Sequence, residues 1–229
     1  MVARTRREPL SRELVLSAAV ALVDTDGLQA LTMRRLAAEL GVEAMSLYHH
    51  LPGKNGLLDG LVETVIGEID VAMGHLPDAA ADQDWRVAVR QRCLVAREVM
   101  LRHPWAPPLF GSRTTIPAGV YLHYEKILAT LIAAGFSYHL AHRALHALGS
   151  MSLGFVQEPF NPAAAADGAD VEPSEAELAQ MANVLPHLIA MVAAESHTDG
   201  APTLGWCDSQ AEFEFTLDLL LDGLARHLG

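Results

Sequence analysis

Apolar residues recur along the 229-residue chain at steps of three and four, without sustained alternation of period two, so the pattern predicts an all-α fold. Ser11 stands where a first helix needs its N-cap, Leu14, Val15, Ala18, Leu22 and Val23 form its stripe, and Gly27 ends it. Thr32 caps a second helix, with Leu36, Ala37 and Leu40 at helical spacing and Gly41 at the left-handed stop. Beyond the tight turn of Gly41, Val42 and Glu43, the segment Ala44 to His50 has one strong core candidate, Leu47. It leaves Met45, Ser46, Tyr48 and His49 free to face outward. A helix that short is unstable alone and has to pack on its predecessor. Two such helices across a tight turn make a helix-turn-helix, whose second member enters a DNA groove.

From Gly53 to about Met73 the inward residues Leu58, Leu61, Val62, Val65 and Ile69 predict one helix about 30 Å long, enough to join two domains. The small and acidic run from Gly74 to Asp84 breaks the pattern. Val89, Cys93, Ala96 and Met100 then stripe a helix from Trp85 to Arg102, followed by a proline-rich bend, HPWAPPLFGSR. Val120, Tyr124, Ile127, Leu128 and Leu131 mark the next helix, up to Gly135, and Ser137 caps another with Leu140, Ala144, Leu148, Met151 and Phe155. Residues 157–173 have little to bury and read as a mobile loop. Capping boxes at Ser174 with Glu177 and at Ser209 with Glu212 mark the last two helices, and Pro186 should kink or split the first of them. In the last helix Phe213, Leu217, Leu220 and Leu224 are spaced as a seam suited to another helix, and a bare seam asks for a partner. The expected organisation is a flexible basic arm at 1–10, a helix-turn-helix head at 11–57 and a helical body at 58–229.

A hydrophobic content of 51% is ample for a core without staples. Cys93 and Cys207 are far apart, no secretory leader precedes them, and no apolar run approaches the roughly 20 residues of a bilayer span. A reduced cytoplasm is the expected setting, without membrane, disulfide or metal. The net charge of −12 hides an asymmetry: the first 60 residues hold seven basic and seven acidic groups, leaving 9 basic against 21 acidic in the rest. An acidic body repels phosphates, so contact with nucleic acid falls to the N-terminal part.

Trp105, Phe110, Tyr124, Leu128, Leu145 and Phe155, with Ala96 and Leu109, supply apolar surface beside Arg92, Ser112, His142 and Glu158, a mixed lining suited to a small-molecule cavity. His139, His142 and His146 share one helical face and could serve a metal or a protonation switch, but no fourth ligand stands near. They read as polar residues on a partly wet face or beside a pocket, and no cofactor is expected. His123 with Glu125 or Glu158 could be recruited to acid–base chemistry. With no GxSxG, HExxH or glycine-rich phosphate loop, an enzyme is not expected.

The run GVEAMSLYHHLPGK followed by LLDGL resembles the DNA-reading end of the TetR family of transcriptional regulators. Trp85, the GSR at Gly111 to Arg113, AAGFS and LGFVQE are similar to the ligand-binding half of its tetracycline-repressor branch. The resemblance implies a homodimeric regulator that a small molecule releases from a palindromic operator. It places Arg34 where a guanine is read, with Ala44, Met45 and Ser46 on the recognition helix and Tyr48, His49 and His50 behind them. Thr32, Tyr48 and Lys54, with Arg35 nearby, would hold phosphates. The branch has a glutamine where Ala44 stands, so its operator does not carry over; Ala44 and Met45 suit thymine methyls instead. Glu158 matches an acidic residue near the drug–metal site and Ser112 a threonine there. Asp70 and Leu109 fall where the branch uses histidines, which puts tetracycline–magnesium coordination in doubt. The resemblance also implies that the last helix and the one from Ser137 pair with their copies as a four-helix bundle.

Overall fold

The computed structural model describes residues 9–75, 84–155, 180–195 apart from 182, and 209–228, and every regular element among them is helical. Most of the basic arm, most of the break before Trp85, the loop at 157–173 and the Ser174–Glu177 box lie outside the described residues. The elements are α1 (Arg12–Asp26), a short 3-10 turn (Leu28–Ala30), α2 (Met33–Leu40), α3 (Ala44–Tyr48) and α4 (Gly53–Gly74). They continue with α5 (Trp85–Arg102), α6 (Ala106–Ser112), α7 (Ala118–Ala133), α8 (Tyr138–Gly154), α9 (Pro186–Glu195) and α10 (Ser209–Leu228). Leu185 interrupts the helical run just before Pro186. By compactness the chain divides into residues 1–157 with 220–229, and residues 158–219.

The caps sit where the residue types place them. Ser11 Oγ accepts from the Leu14 N–H at 3.2 Å, Thr32 Oγ1 from Arg35 at 3.1 Å and Ser137 Oγ from Leu140 at 3.2 Å, each bond worth about 1 kcal/mol to its helix. Gly41 takes the left-handed conformation at φ 61°, and the N–H groups of Gly41 and Val42 close back on the carbonyls of Ala38 and Ala37. That paired closure reverses the chain within two residues and sets the angle between α2 and α3.

One core runs from head to body. Val15, Leu16, Ala19, Leu22 and Val23 of α1, Leu36 and Ala37 of α2, and Leu47 of α3 join Leu57, Leu61, Val62, Val65 and Ile69 of α4. The same cluster continues into Val99, Trp105, Leu109 and Val120. Helix α4 therefore belongs to both regions, and its inward face starts at Leu57 rather than at the expected Leu58, which is half-buried. At Gly60 the approach of α1 is so close that a Cβ would lie 2.5 Å from Leu16 Cδ2.

The seam expected on the last helix is corrected. Phe213 and Leu217 are 0% exposed and Leu224 is buried, so this stripe faces the chain's own interior and Leu220 lies half-buried at its margin. The spacing marks a face that needs a helical partner, but a partner in the same chain satisfies it as well as a second copy does. The outward apolar residues of α10 are Phe215 and Leu219, at 62% and 57% exposure.

Candidate nucleic-acid interface and cavity

Helix α3 has five residues and survives because Leu47, with Leu51 behind it, is buried against the core that Leu36 completes. With the inward position fixed, Met45 stands 70% exposed, Tyr48 and His49 are exposed, and Ala44, Ser46 and His50 are half-buried. Arg34 and Lys54 are exposed and make no ion pair among the described residues, whereas the Arg35 guanidinium is committed to Asp26. The Thr32 hydroxyl is already used as the cap of α2. The uncommitted outward groups are therefore Arg34 and Lys54 flanking Met45, Ser46, Tyr48 and His49. Lys54 is the second residue of α4, after Gly53 with its φ of 72°, and no side chain caps that helix start. A cation beside open N–H groups suits a phosphate oxygen, and an exposed methionine suits a base methyl.

A second feature lies in the body: a cavity of about 330 Å³ between α4, α5, α7, α8 and the α6–α7 connection. That volume is at the small end of the range for small-molecule sites. Its apolar wall includes Val62, Ile66 and Ile69 of α4, Val89, Ala96 and Met100 of α5, and Val120 and Ile127 of α7. Five expected residues line it: Arg92, Ala96, Phe110, Tyr124 and Leu145. The other expected residues among those described do not. Leu109 is fully buried in the core, and Trp105 donates its indole N–H to Asp24 at 2.6 Å. The Ser112 hydroxyl closes α6 on the Leu109 carbonyl, and Leu128 is half-buried off the cavity wall. His142 is exposed with its ring 4.6 Å from that of His146, and the Phe155 carbonyl accepts from Arg97. Glu158 lies outside the described residues.

The residues missed include most of the apolar wall and several polar ones. His123, Arg113, Cys93 and Ser152 line the cavity, and His123 is only 7% exposed. A signal was present: His123 falls three residues after Val120 and four before Ile127, on the inward stripe of α7. Its Nδ1 lies 2.9 Å from Asp70 Oδ1, not beside Glu125, which is exposed. Asp70 is a hub, since Arg92 Nη1 reaches the same oxygen at 3.4 Å and Lys126 Nζ donates to Oδ2 at 2.6 Å. Burial alone would raise the Asp70 carboxyl, but hydrogen bonds from Lys126 and His123 hold it below the usual carboxylate range. Burial lowers the His123 imidazole, against the pull of Asp70. Burial pushes the Cys93 thiol up to about 11, so it is a protonated packing group rather than a nucleophile. Among the described residues no group of three or more His, Cys, Asp and Glu side chains is arranged to hold a metal.

Head and cavity are tied together along α4. Asp59 takes two bonds from Arg113, at 2.8 and 2.7 Å. Glu63 pairs with Arg12 of α1 at 2.6 Å and accepts the Gly119 N–H of α7 at 3.0 Å. Glu68 lies 3.1 Å from His103 Nε2, while His103 Nδ1 and the Trp105 indole converge on Asp24 of α1. Asp70 then reaches Arg92 and His123 in the cavity wall. Helix α4 is thus bonded both to α1 and to the cavity wall.

A short outward helix braced by α1 and α2, on a long helix that also walls a cavity, defines a helix-turn-helix regulator with an attached helical binding domain. Comparison with known proteins specifies the family. Residues 15–61 match the model of bacterial regulatory proteins of the tetR family, and residues 76–228 match that of the tetracyclin repressor-like C-terminal domain. An HTH-type transcriptional regulator of Saccharopolyspora erythraea is 35% identical over 58% of this chain, which spans only 54% of that protein. The class C tetracycline repressor protein of Escherichia coli is 31% identical over 95% of the chain and 91% of its own length. The crystal structure of a possible TetR family regulator from Streptomyces coelicolor A3(2) superposes with a TM-score of 0.72, at 28% identity, covering 94% of this chain and 99% of the other. The chain belongs to the TetR family of transcriptional regulators. No helix among its described residues is long and apolar enough to cross a membrane.

Proposed function

We propose that this regulator is a cytoplasmic homodimeric repressor, bound to a palindromic operator through residues 11–57 and released when a small molecule enters the cavity of the body. Arg34 reads a guanine, Met45 and Ala44 meet thymine methyls, and Tyr48 and Lys54 hold phosphates, with Ser46 and His49 at the groove edge. The two copies join through α8 and α10, with Phe215 and Leu219 supplying the outward apolar contact of α10. The observation that carries induction is that α4 both walls the cavity and takes bonds from α1, α5, α7 and the α6–α7 connection through Asp59, Glu63, Glu68 and Asp70. A ligand that favours a displaced α4 turns the two heads out of register with successive major grooves, and its differential affinity for the two arrangements sets the size of the effect.

Selection of bound DNA from random sequence, followed by a compound screen for release, tests this directly. The expected product is a palindrome with half-sites about 34–36 Å apart. The expected releasing compound loses its action on Val120→Trp, which fills the cavity, while that variant keeps its operator affinity. Recovery of no preferred DNA, or release that is indifferent to the filled cavity, contradicts the proposal.

A further inference from the structure

The polar end of the cavity has an unusual balance of donors and acceptors. His123 Nδ1 is engaged by Asp70 Oδ1 at 2.9 Å, and Asp70 receives two further donors, Arg92 and Lys126. A carboxylate that accepts from Arg92 and Lys126 acts toward the ring only as an acceptor, which fixes the proton of His123 on Nδ1. Burial lowers the imidazole against the pull of Asp70, which favours the neutral ring at neutral pH, and with the proton on Nδ1 its Nε2 is then an unprotonated acceptor. No protein donor to Nε2 is found among the described residues, although the side chain is more than nine-tenths buried and lines the cavity. A buried acceptor left without a donor costs about 1–3 kcal/mol. The wall around it is apolar, formed by Ile69, Val89, Val120 and Ile127, and the Arg92 guanidinium stands close enough to act on the His123 charge.

We propose that His123 Nε2 is the specificity-determining acceptor of the effector site, and that the effector is a mainly apolar molecule donating one weakly acidic hydroxyl, such as a phenol, to it. The inference rests on the cavity being the effector site. Arg92 stabilises negative charge that builds on the donating oxygen, which favours an acidic hydroxyl over an aliphatic alcohol. The apolar wall takes the rest of the molecule, and an analogue with a group of equal size but no donor leaves Nε2 unsatisfied.

The experiment compares anthracen-2-ol with 2-methylanthracene, binding each to the full-length protein and to His123→Phe. Burial of apolar area alone favours the methyl compound, so the two explanations give opposite orders. The expected result is at least tenfold tighter binding of anthracen-2-ol by the parent and loss of that preference in His123→Phe. Nitrogen-15 NMR of the unliganded parent supplies a reading that needs no variant to fold: the His123 ring is expected neutral, protonated on Nδ1 and bare on Nε2. Equal or tighter binding of 2-methylanthracene, no binding of either compound, or a proton on Nε2 overturns the inference. The proposed function is judged separately, by whether any releasing compound from the screen is blocked by Val120→Trp.

Discussion

The reading head and the cavity solve opposite problems with side chains of the same kinds. In the head, Arg34 and Lys54 stand in solvent and make no ion pair among the described residues, held ready for a partner that brings its own negative charge. In the cavity, Arg92 and Arg113 are already paired with Asp70 and Asp59, and what remains open is an acceptor. The difference follows from the solvent each region faces. An exposed cation is hydrated at no cost and can wait, whereas a cation in an apolar wall needs a carboxylate beside it. Attraction to DNA is thus long-ranged and salt-sensitive, while attraction in the cavity is short-ranged and set by hydrogen-bond matching.

The severest way to separate the two regions is Leu47→Asp. It removes the inward anchor of α3 and buries an unpaired carboxylate, at a cost above the about 2–5 kcal/mol of a leucine-to-alanine truncation. Operator binding in a fluorescence-anisotropy titration is expected to vanish while the cavity keeps its ligand. Binding within tenfold of the parent would show that α3 is not the reader. Next in size is Phe215→Glu with Leu219→Glu, expected to give monomers by sedimentation and operator affinity weaker by orders of magnitude. Dimers of unchanged affinity would place the interface elsewhere.

Within the head, Arg34→Ala is expected to cost about 1–3 kcal/mol and to relax the preference at one base pair in each half-site. Lys54→Ala should weaken all sequences alike and reduce the salt slope by about one. Swapped signatures in a selection experiment would exchange the two roles. The smallest effect is on stability against pH. His123 titrates lower in the folded chain than in the unfolded one, so the unfolded state binds the extra proton as pH falls below about 6.5, and stability declines there. Asp70 is also depressed, so its contribution is present above the ordinary aspartate range and is lost as pH falls below it. His123→Phe should flatten the upper part of the decline and leave the lower part, as thermal melts between pH 7 and pH 3 would show.

The contrast also explains what could be read from the chain. The head is built from local signals: Thr32 as cap, Gly41 as stop and Leu47 as the one inward residue of a short segment all act within a turn or two. The cavity is built from residues far apart in sequence, and its polar chemistry depends on Asp70 meeting His123, 53 positions away. Helical spacing puts His123 on the inward face of α7, yet nothing local says that an aspartate on α4 waits for it. Aromatic character points to Trp105, whose indole the fold uses instead to reach Asp24. The stripe on α10 was legible as a buried face, but spacing is silent on whether its partner is the same chain or a copy.

Coupling between the two regions is most directly measured by titrating one releasing compound into free protein and into protein saturated with operator. Linkage requires that operator DNA weaken the compound by the same factor by which the compound weakens operator. With α4 as the shared element, that factor is expected at about 5–150-fold, corresponding to about 1–3 kcal/mol. Asp70→Ala, which cuts α4 from Arg92 and His123, should bring it close to one. Equal affinity of the compound for free and operator-bound protein would contradict transmission through α4.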